Sequence, residues 1–255
     1  MKRIASRDNG FFKELKRLAH TGRERRKSGR TVLDGIHLIS AYEETRGPVE
    51  HLIVDESALD RQEIAALIAG REPLLLPAAL FRDISPVESP AGVVAVVPVP
   101  PVAAPDFSID TLLLDGVQDP GNVGTMLRTA VAAGFRQILL SGDCAAAWSP
   151  KVLRAGQGAH FLASIVEDAD LGDFLCRFQG TTAVTQLREA VSLYEARLDG
   201  AMAWVFGSEG QGVRPEISAA AQLKVKIPMP GAVESLNVAA ASAICLFETV
   251  RRRSA

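Results

Sequence analysis

Short apolar runs recur along the chain, each ending at a glycine, a proline or a polar turn. In the C-terminal half they are Thr111-Leu-Leu-Leu-Asp115, Gln137-Ile-Leu-Leu-Ser141, Thr182-Ala-Val-Thr185, Ala203-Trp-Val-Phe-Gly207 and Leu223-Lys-Val-Lys-Ile227. Runs of this length with turn residues at their ends read as buried strands. Between and after them lie stretches with helical periodicity, at residues 122–133 and from Leu236 to Arg252. Strands that alternate with helices constrain the fold to an α/β layer, here with a parallel sheet.

The N-terminal part repeats the pattern on a smaller scale. Residues 11–20 read as a short basic helix, and Thr31-Val-Leu-Asp-Gly35 as a strand leading into a helix at 36–44. His51-Leu-Ile-Val-Asp55, Leu74-Leu-Leu-Pro77 and Gly92-Val-Val-Ala-Val-Val97 are further strands, and 57–69 shows helical spacing through Leu59, Ile64, Leu67 and Ile68. Pro98-Val-Pro-Pro-Val-Ala-Ala-Pro-Asp106 has four prolines in eight residues and predicts a stiff, extended linker. The expected organisation is a smaller α/β domain at 1–97, a linker at 98–106 and a larger domain at 107–255.

The 255 residues are 47% hydrophobic and 23% charged, the balance of a folded globular protein. Cys144, Cys176 and Cys245 are odd in number, far apart and without metal-ligand spacing. They read as buried, reduced thiols, with no metal site and a cytoplasmic location expected. The basic N-terminus has no apolar run behind it, and no stretch is long enough to cross a bilayer. The net charge of −2 hides an asymmetry: residues 1–30 hold eleven Lys or Arg against three Asp or Glu. Lys13, Lys16, Arg17, Arg23, Arg25, Arg26, Lys27 and Arg30 crowd this arm, which fits either a polyanionic partner or a solvated, partly disordered tail.

Three constellations carry chemistry. In Asp115-Gly-Val-Gln-Asp-Pro-Gly-Asn-Val-Gly-Thr-Met-Leu-Arg-Thr-Ala130 a strand ends, a turn follows and a helix begins near Asn122, with Thr125, Arg128 and Thr129 sharing one side of it. The carboxyl end of a parallel strand is where open α/β sheets bind ligands. Phe206-Gly-Ser-Glu-Gly-Gln-Gly-Val213 puts three glycines after an apolar strand, letting backbone approach a ligand closely, but its order is not the dinucleotide fingerprint. Ile227-Pro-Met-Pro-Gly-Ala-Val-Glu-Ser-Leu-Asn237 is an apolar, proline-containing loop before an Ala-rich helix, with Ser235 as the expected N-cap. Each alone fits an ordinary turn or helix start.

Together, in this order and spacing, the N-x-G-x-x-x-R-T-A run at 122–130, G-S-E-G-x-G at 207–212 and S-L-N-V-A at 235–239 resemble the signature motifs of the SpoU (TrmH-type) branch of the SPOUT RNA methyltransferases. The match spans about 110–252. The N-terminal part is more loosely similar to the L30e-like RNA-binding domain that precedes the catalytic domain in many members. Relatives usually show Glu where this chain has Asp34, and often His-Gln where it has Pro90-Ala91.

The resemblance implies an α/β fold with a C-terminal trefoil knot, a homodimer with the site near its interface, and S-adenosylmethionine as methyl donor, without metal. It implies cofactor binding by Gly207, Ile227 and Leu236, with Met229 and Gly210 nearby. It assigns methyl transfer to a ribose 2′-hydroxyl to Arg128, with Asn122 and Glu209 orienting groups and Ser235 and Asn237 fixing the knot and the ribose site. Arginine holds its proton beyond about pH 12 in proteins, so an electrostatic role and proton removal helped by a bound phosphate both stay open. The expected substrate is structured RNA, ribosomal RNA ahead of transfer RNA, with the basic arm contacting phosphates. A transfer-RNA enzyme, a non-catalytic RNA-binding factor on the same scaffold and a small-molecule enzyme using a nucleotide cofactor are the alternatives.

Overall fold

The computed structural model describes residues 1–85, 90–187 and 189–254. The chain divides into two compact units, residues 1–101 with 148–161 and residues 102–147 with 162–255.

The first unit begins with β1 (Lys2–Arg3), α1 (Gly10–His20), α2 (Gly22–Ser28), β2 (Arg30–Asp34), α3 (Ile36–Arg46) and β3 (His51–Asp55). It continues with α4 (Gln62–Ile68), β4 (Leu74–Leu76), α5 (Ala78–Ile84) and β5 (Val93–Pro98). The sheet order is β1-β4-β3-β5-β2, with β5 antiparallel to both neighbours and the other pairs parallel. Asn9 starts α1 by accepting the backbone N–H groups of Phe11 and Phe12. The apolar face of α1 (Phe12, Leu15, Leu18) then packs on Val32, Ile53, Phe81 and Val96, which leaves Lys13, Lys16, Arg17 and His20 outside.

The basic arm at 1–30, read either as polyanion-binding or as a solvated, partly disordered tail, is folded into β1, α1 and α2, and Gly29 ends α2 in the left-handed conformation at φ 63°. The helical spacing at 57–69 becomes a short 3₁₀ turn at Glu56–Ala58 followed by α4. The later segment 148–161 carries α7 (Pro150–Gly156) and belongs to this unit. The Thr31 hydroxyl donates to the Trp148 carbonyl at 2.7 Å, Arg46 donates to the Phe161 carbonyl at 3.0 Å, and the Tyr42 and Phe161 rings meet edge to face. Asp34, at the end of β2, is buried with neither carboxylate oxygen in a hydrogen bond among the described residues. Burial pushes its carboxyl above the ordinary value, and the Arg154 charge and the Ala91 backbone offset this only in part.

The second unit contains β6 (Thr111–Asp115), α6 (Pro120–Ala132), β7 (Gln137–Leu140), β8 (Ser164–Val166), α8 (Leu171–Arg177) and β9 (Thr181–Thr185). It ends with β10 (Val191–Ser192), β11 (Met202–Gly207), α9 (Pro215–Ala220), β12 (Leu223–Lys226) and α10 (Val238–Arg253). All the strand pairs are parallel and the order is β10-β12-β9-β11-β6-β7-β8. The central strands β6 and β11 are buried throughout, which accounts for their uninterrupted apolar sequence. Helix α10 packs against α6 and β11, where the Trp204 indole donates to the Thr249 hydroxyl at 3.1 Å.

Several expectations change at this level. The N-cap of α10 is Asn237, whose side chain accepts from the Ala239 and Ala240 N–H groups, whereas Ser235 lies exposed in the preceding loop. Helix α6 starts at Pro120 rather than Asn122, because Asp119 caps it by accepting the Asn122 N–H at 2.8 Å. Of the three thiols, all free, Cys245 is buried, Cys144 half-buried and Cys176 exposed at the end of α8. The basic end of α10 is held by carboxylates as well as by the helix dipole: Arg251 and Arg252 pair with Glu248, and Arg253 with Asp110. These two arginines hold the Glu248 carboxyl down to about 2.

Candidate active site

The carboxyl ends of β9, β11 and β12 open into a cavity of about 650 Å³. One wall is the glycine loop after β11, one is the loop from Ile227 to Leu236, and the third is Thr185, Gln186 and Leu187 after β9. Gly207, Glu209, Gly210, Ile227, Met229, Ser235 and Leu236, all named from sequence, line it. Thr185 to Leu187 were missed, although their place at the carboxyl end of a parallel strand was the signal that could have found them.

The glycine loop folds back on itself. Ser208 and Gly212 exchange backbone hydrogen bonds at 3.1 and 2.9 Å. A Cβ on Gly207 would lie 2.0 Å from the Gly212 carbonyl carbon, so only glycine fits there. The fold-back carries exposed Glu209, whose carboxylate accepts from the Asn122 amide. Asn122 in turn accepts from Asn237 Nδ2 at 3.0 Å. One hydrogen-bonded chain thus joins the start of α6, the glycine loop and the start of α10, the three segments singled out in the sequence.

Arg128 lies a turn and a half beyond Asn122 on α6, exposed, with no hydrogen bond or ion pair among the described residues. It does not line the cavity, nor do Asn122 and Asn237. An exposed cation without such a partner, on the same helix as Asn122, suits an anionic group or a developing negative charge. The lining suits the expected methyl donor: a glycine-rich loop, where backbone can approach a ligand closely, and apolar Ile227, Leu236 and Val238 border the same cavity, a combination that suits a purine ring. Among the described residues no cluster of His, Cys, Asp or Glu could hold a metal ion, and no helix is long and apolar enough to cross a membrane.

The basic arm separates into two groups. Arg25 donates to the Leu18 and Ala19 carbonyls at the end of α1, and Arg30 pairs with Glu14 and Glu50. Lys13 pairs with Asp8 and Arg17 with Glu24. Lys16, Arg23, Arg26 and Lys27 are exposed with no such partner among the described residues. Lys13, Lys16, Arg17 and His20 line a shallow depression on α1.

Residues 111–247 match the profile of the SpoU rRNA methylase family. The chain belongs to that family. Residues 9–95 match the MRM3-like substrate binding domain, so a substrate-binding module precedes the SpoU domain, the order that the resemblance implied. Among SpoU-type relatives, the 23S rRNA (guanosine(2553)-2′-O)-methyltransferase RlmP of Bacillus subtilis is 33% identical over 251 residues, 97% of this chain and 98% of the relative. A crystal structure of an RNA 2′-O ribose methyltransferase superposes with a TM-score of 0.83 at 30% identity, over 99% of this chain and 100% of that one. An AdoMet-bound rRNA methyltransferase from Sinorhizobium meliloti gives 0.82 at 25% identity, covering 98% of each chain.

Proposed function

We propose that this SpoU protein transfers a methyl group from S-adenosylmethionine to a ribose 2′-hydroxyl of 23S ribosomal RNA, acting as a cytoplasmic homodimer. The observation that carries this reading is the hydrogen-bonded chain Asn237–Asn122–Glu209, set at the cavity whose loops the family motifs form. The full-length similarity to a 23S rRNA enzyme supports ribosomal RNA as the substrate.

The cofactor supplies a methyl group already activated as a sulfonium. The backbone of Gly207, Gly210, Ile227 and Leu236, with Met229 beside them, would hold it, in a segment that the family threads as a trefoil knot. The remaining chemistry belongs to the nucleophile, because a ribose hydroxyl is protonated and weakly reactive at neutral pH. Arg128 would stabilise the negative charge developing on the ribose oxygen as its proton passes to solvent water, Asn122 and Glu209 would orient the ribose, and Ser235 and Asn237 would hold the loop that covers it. Lys16, Arg23, Arg26 and Lys27 would contact RNA phosphates. Ala240, Ile244 and Phe247 lie along one side of α10, with Phe247 47% exposed, and supply an apolar stripe for a second copy.

The deciding experiment offers unmodified 23S rRNA and total tRNA to the purified protein with labelled cofactor, then maps 2′-O-methyl positions. Methylation of a ribosomal ribose that disappears in Arg128→Ala supports the reading. Methylation of tRNA alone, or RNA binding without methyl transfer, overturns it.

A further inference from the structure

The loop that carries Glu209 is exposed and contains Gly210 and Gly212, so nothing in its own sequence makes it rigid. Its two ends nevertheless converge on one residue outside the cavity. The backbone of Asp115, at the end of β6, pairs in register with Gly207, the residue before the loop. The Asp115 carboxylate accepts the backbone N–H of Arg214, the residue after the loop, at 2.8 Å. It also accepts Arg214 Nε at 2.7 Å, and Nη2 of the same guanidinium forms an ion pair with it at 2.6 Å. The Asp115 side chain is 1% exposed, so its charge is balanced by these contacts rather than by water.

A second acid flanks the same guanidinium. Asp143 lies close enough to Arg214 to strengthen its hold on the proton, and a Cβ on Gly116 would come within 3.1 Å of the Asp143 carboxylate. The Ser141 hydroxyl donates to Asp143 at 2.5 Å and accepts the Gly116 N–H at 2.9 Å. The turn after β6, which leads to Asn122, and the far end of the glycine loop therefore share one acidic seat.

We propose that Asp115 and Arg214 are a positioning pair that closes the glycine loop into its binding shape, so that cofactor affinity depends on two residues that do not touch the cofactor cavity. The guanidinium suits this task because it engages the carboxylate through Nε and Nη2 while its own backbone takes the other oxygen. Lysine keeps the charge but offers a single point of contact. This inference rests on the cavity being the S-adenosylmethionine site.

The test compares wild type, Arg214→Lys, Asp115→Asn and, as a control, Glu216→Gln. Glu216 is exposed and reaches the same guanidinium only at 4.0 Å. Cofactor Kd by calorimetry, KM for cofactor and for RNA, kcat and thermal midpoint are measured for each. Arg214→Lys is expected to melt close to wild type and to bind S-adenosylmethionine roughly tenfold more weakly, the worth of one charge-assisted hydrogen bond. KM for cofactor rises in step and KM for RNA does not. Asp115→Asn shows the same split, and Glu216→Gln behaves as wild type. Wild-type cofactor affinity in a folded Arg214→Lys protein overturns the pair, as does an equal rise in both KM values. Failure of the wild type itself to bind S-adenosylmethionine overturns instead the reading of the cavity on which the pair rests.

Discussion

Asn237 donates its side-chain N–H to the Asn122 oxygen at 3.0 Å, and this fixes the orientation of both amides. The Asn237 oxygen is occupied by the Ala239 and Ala240 N–H groups at 3.0 and 3.2 Å, so its nitrogen must face Asn122. The Asn122 oxygen then faces Asn237, and its nitrogen is left to donate to Glu209.

Asn237→Asp separates the two tasks of this residue. Aspartate caps a helix as well as asparagine does, so the thermal midpoint is expected to stay near that of wild type. The donor to Asn122 is lost, Asn122 turns, and Glu209 loses its partner. Methyl transfer falls at least about tenfold, the effect of losing one well-placed hydrogen bond. Wild-type kcat in this variant, read from labelled-methyl incorporation, would show that the relay has no part in turnover.

Arg128→Ala should remove methyl transfer by about two to three orders of magnitude, the usual scale for a donor aimed at developing charge. Arg128 does not line the cavity, so calorimetry should return an unchanged cofactor affinity.

The basic arm should divide by partner rather than by charge. Replacing Lys16, Arg23, Arg26 and Lys27 together with alanine is expected to flatten the plot of log affinity for RNA against log salt by up to about three units, with the melt unchanged. Arg25→Ala is expected to lower the melt instead, since it strips the Leu18 and Ala19 carbonyls of a donor. A quadruple variant with the wild-type salt slope would move the RNA contact elsewhere.

Asp34→Asn should stabilise the protein at neutral pH. The carboxyl titrates higher folded than unfolded, so ionising it opposes folding, and the penalty grows as pH rises from the ordinary value of 3.8. The gain in thermal midpoint should therefore shrink as the buffer is taken below that value.

Glu248 has the opposite sign. Held at about 2 rather than 4.5, it stabilises the fold above the ordinary value, and that contribution is lost as pH falls toward 2. Glu248→Gln should melt lower than wild type at neutral pH, with the difference closing across this acid window in a calorimetric series.

The sheet of the second unit was legible because β6, β9 and β11 are apolar runs ending at turns, and a buried parallel strand needs little else. The glycine loop was legible as a cavity wall because open α/β sheets form their clefts at the carboxyl ends of such strands. Ser235 was misplaced as a cap because it and Asn237 are equally good acceptors, and the choice depends on where an irregular loop stops. Charge counting grouped Arg25 and Arg30 with Lys16 and Arg26, since nothing local says that Glu14 or a helix carbonyl lies within reach. Strand β1, two exposed residues long, has no hydrophobic pattern to read. Helix α7 was not anticipated, and its place in the first unit depends on contacts with residues more than a hundred positions earlier.

That last feature bears on how the protein is made. The first unit is not a continuous stretch of chain: it includes Trp148 to Phe161, which emerge from the ribosome after β6 and β7. When residue 101 has been synthesised, Thr31 and Arg46 still lack the carbonyls that they will meet. The N-terminal module therefore completes its packing only once the first third of the second unit already exists, and vectorial synthesis makes their maturation a single, overlapping event.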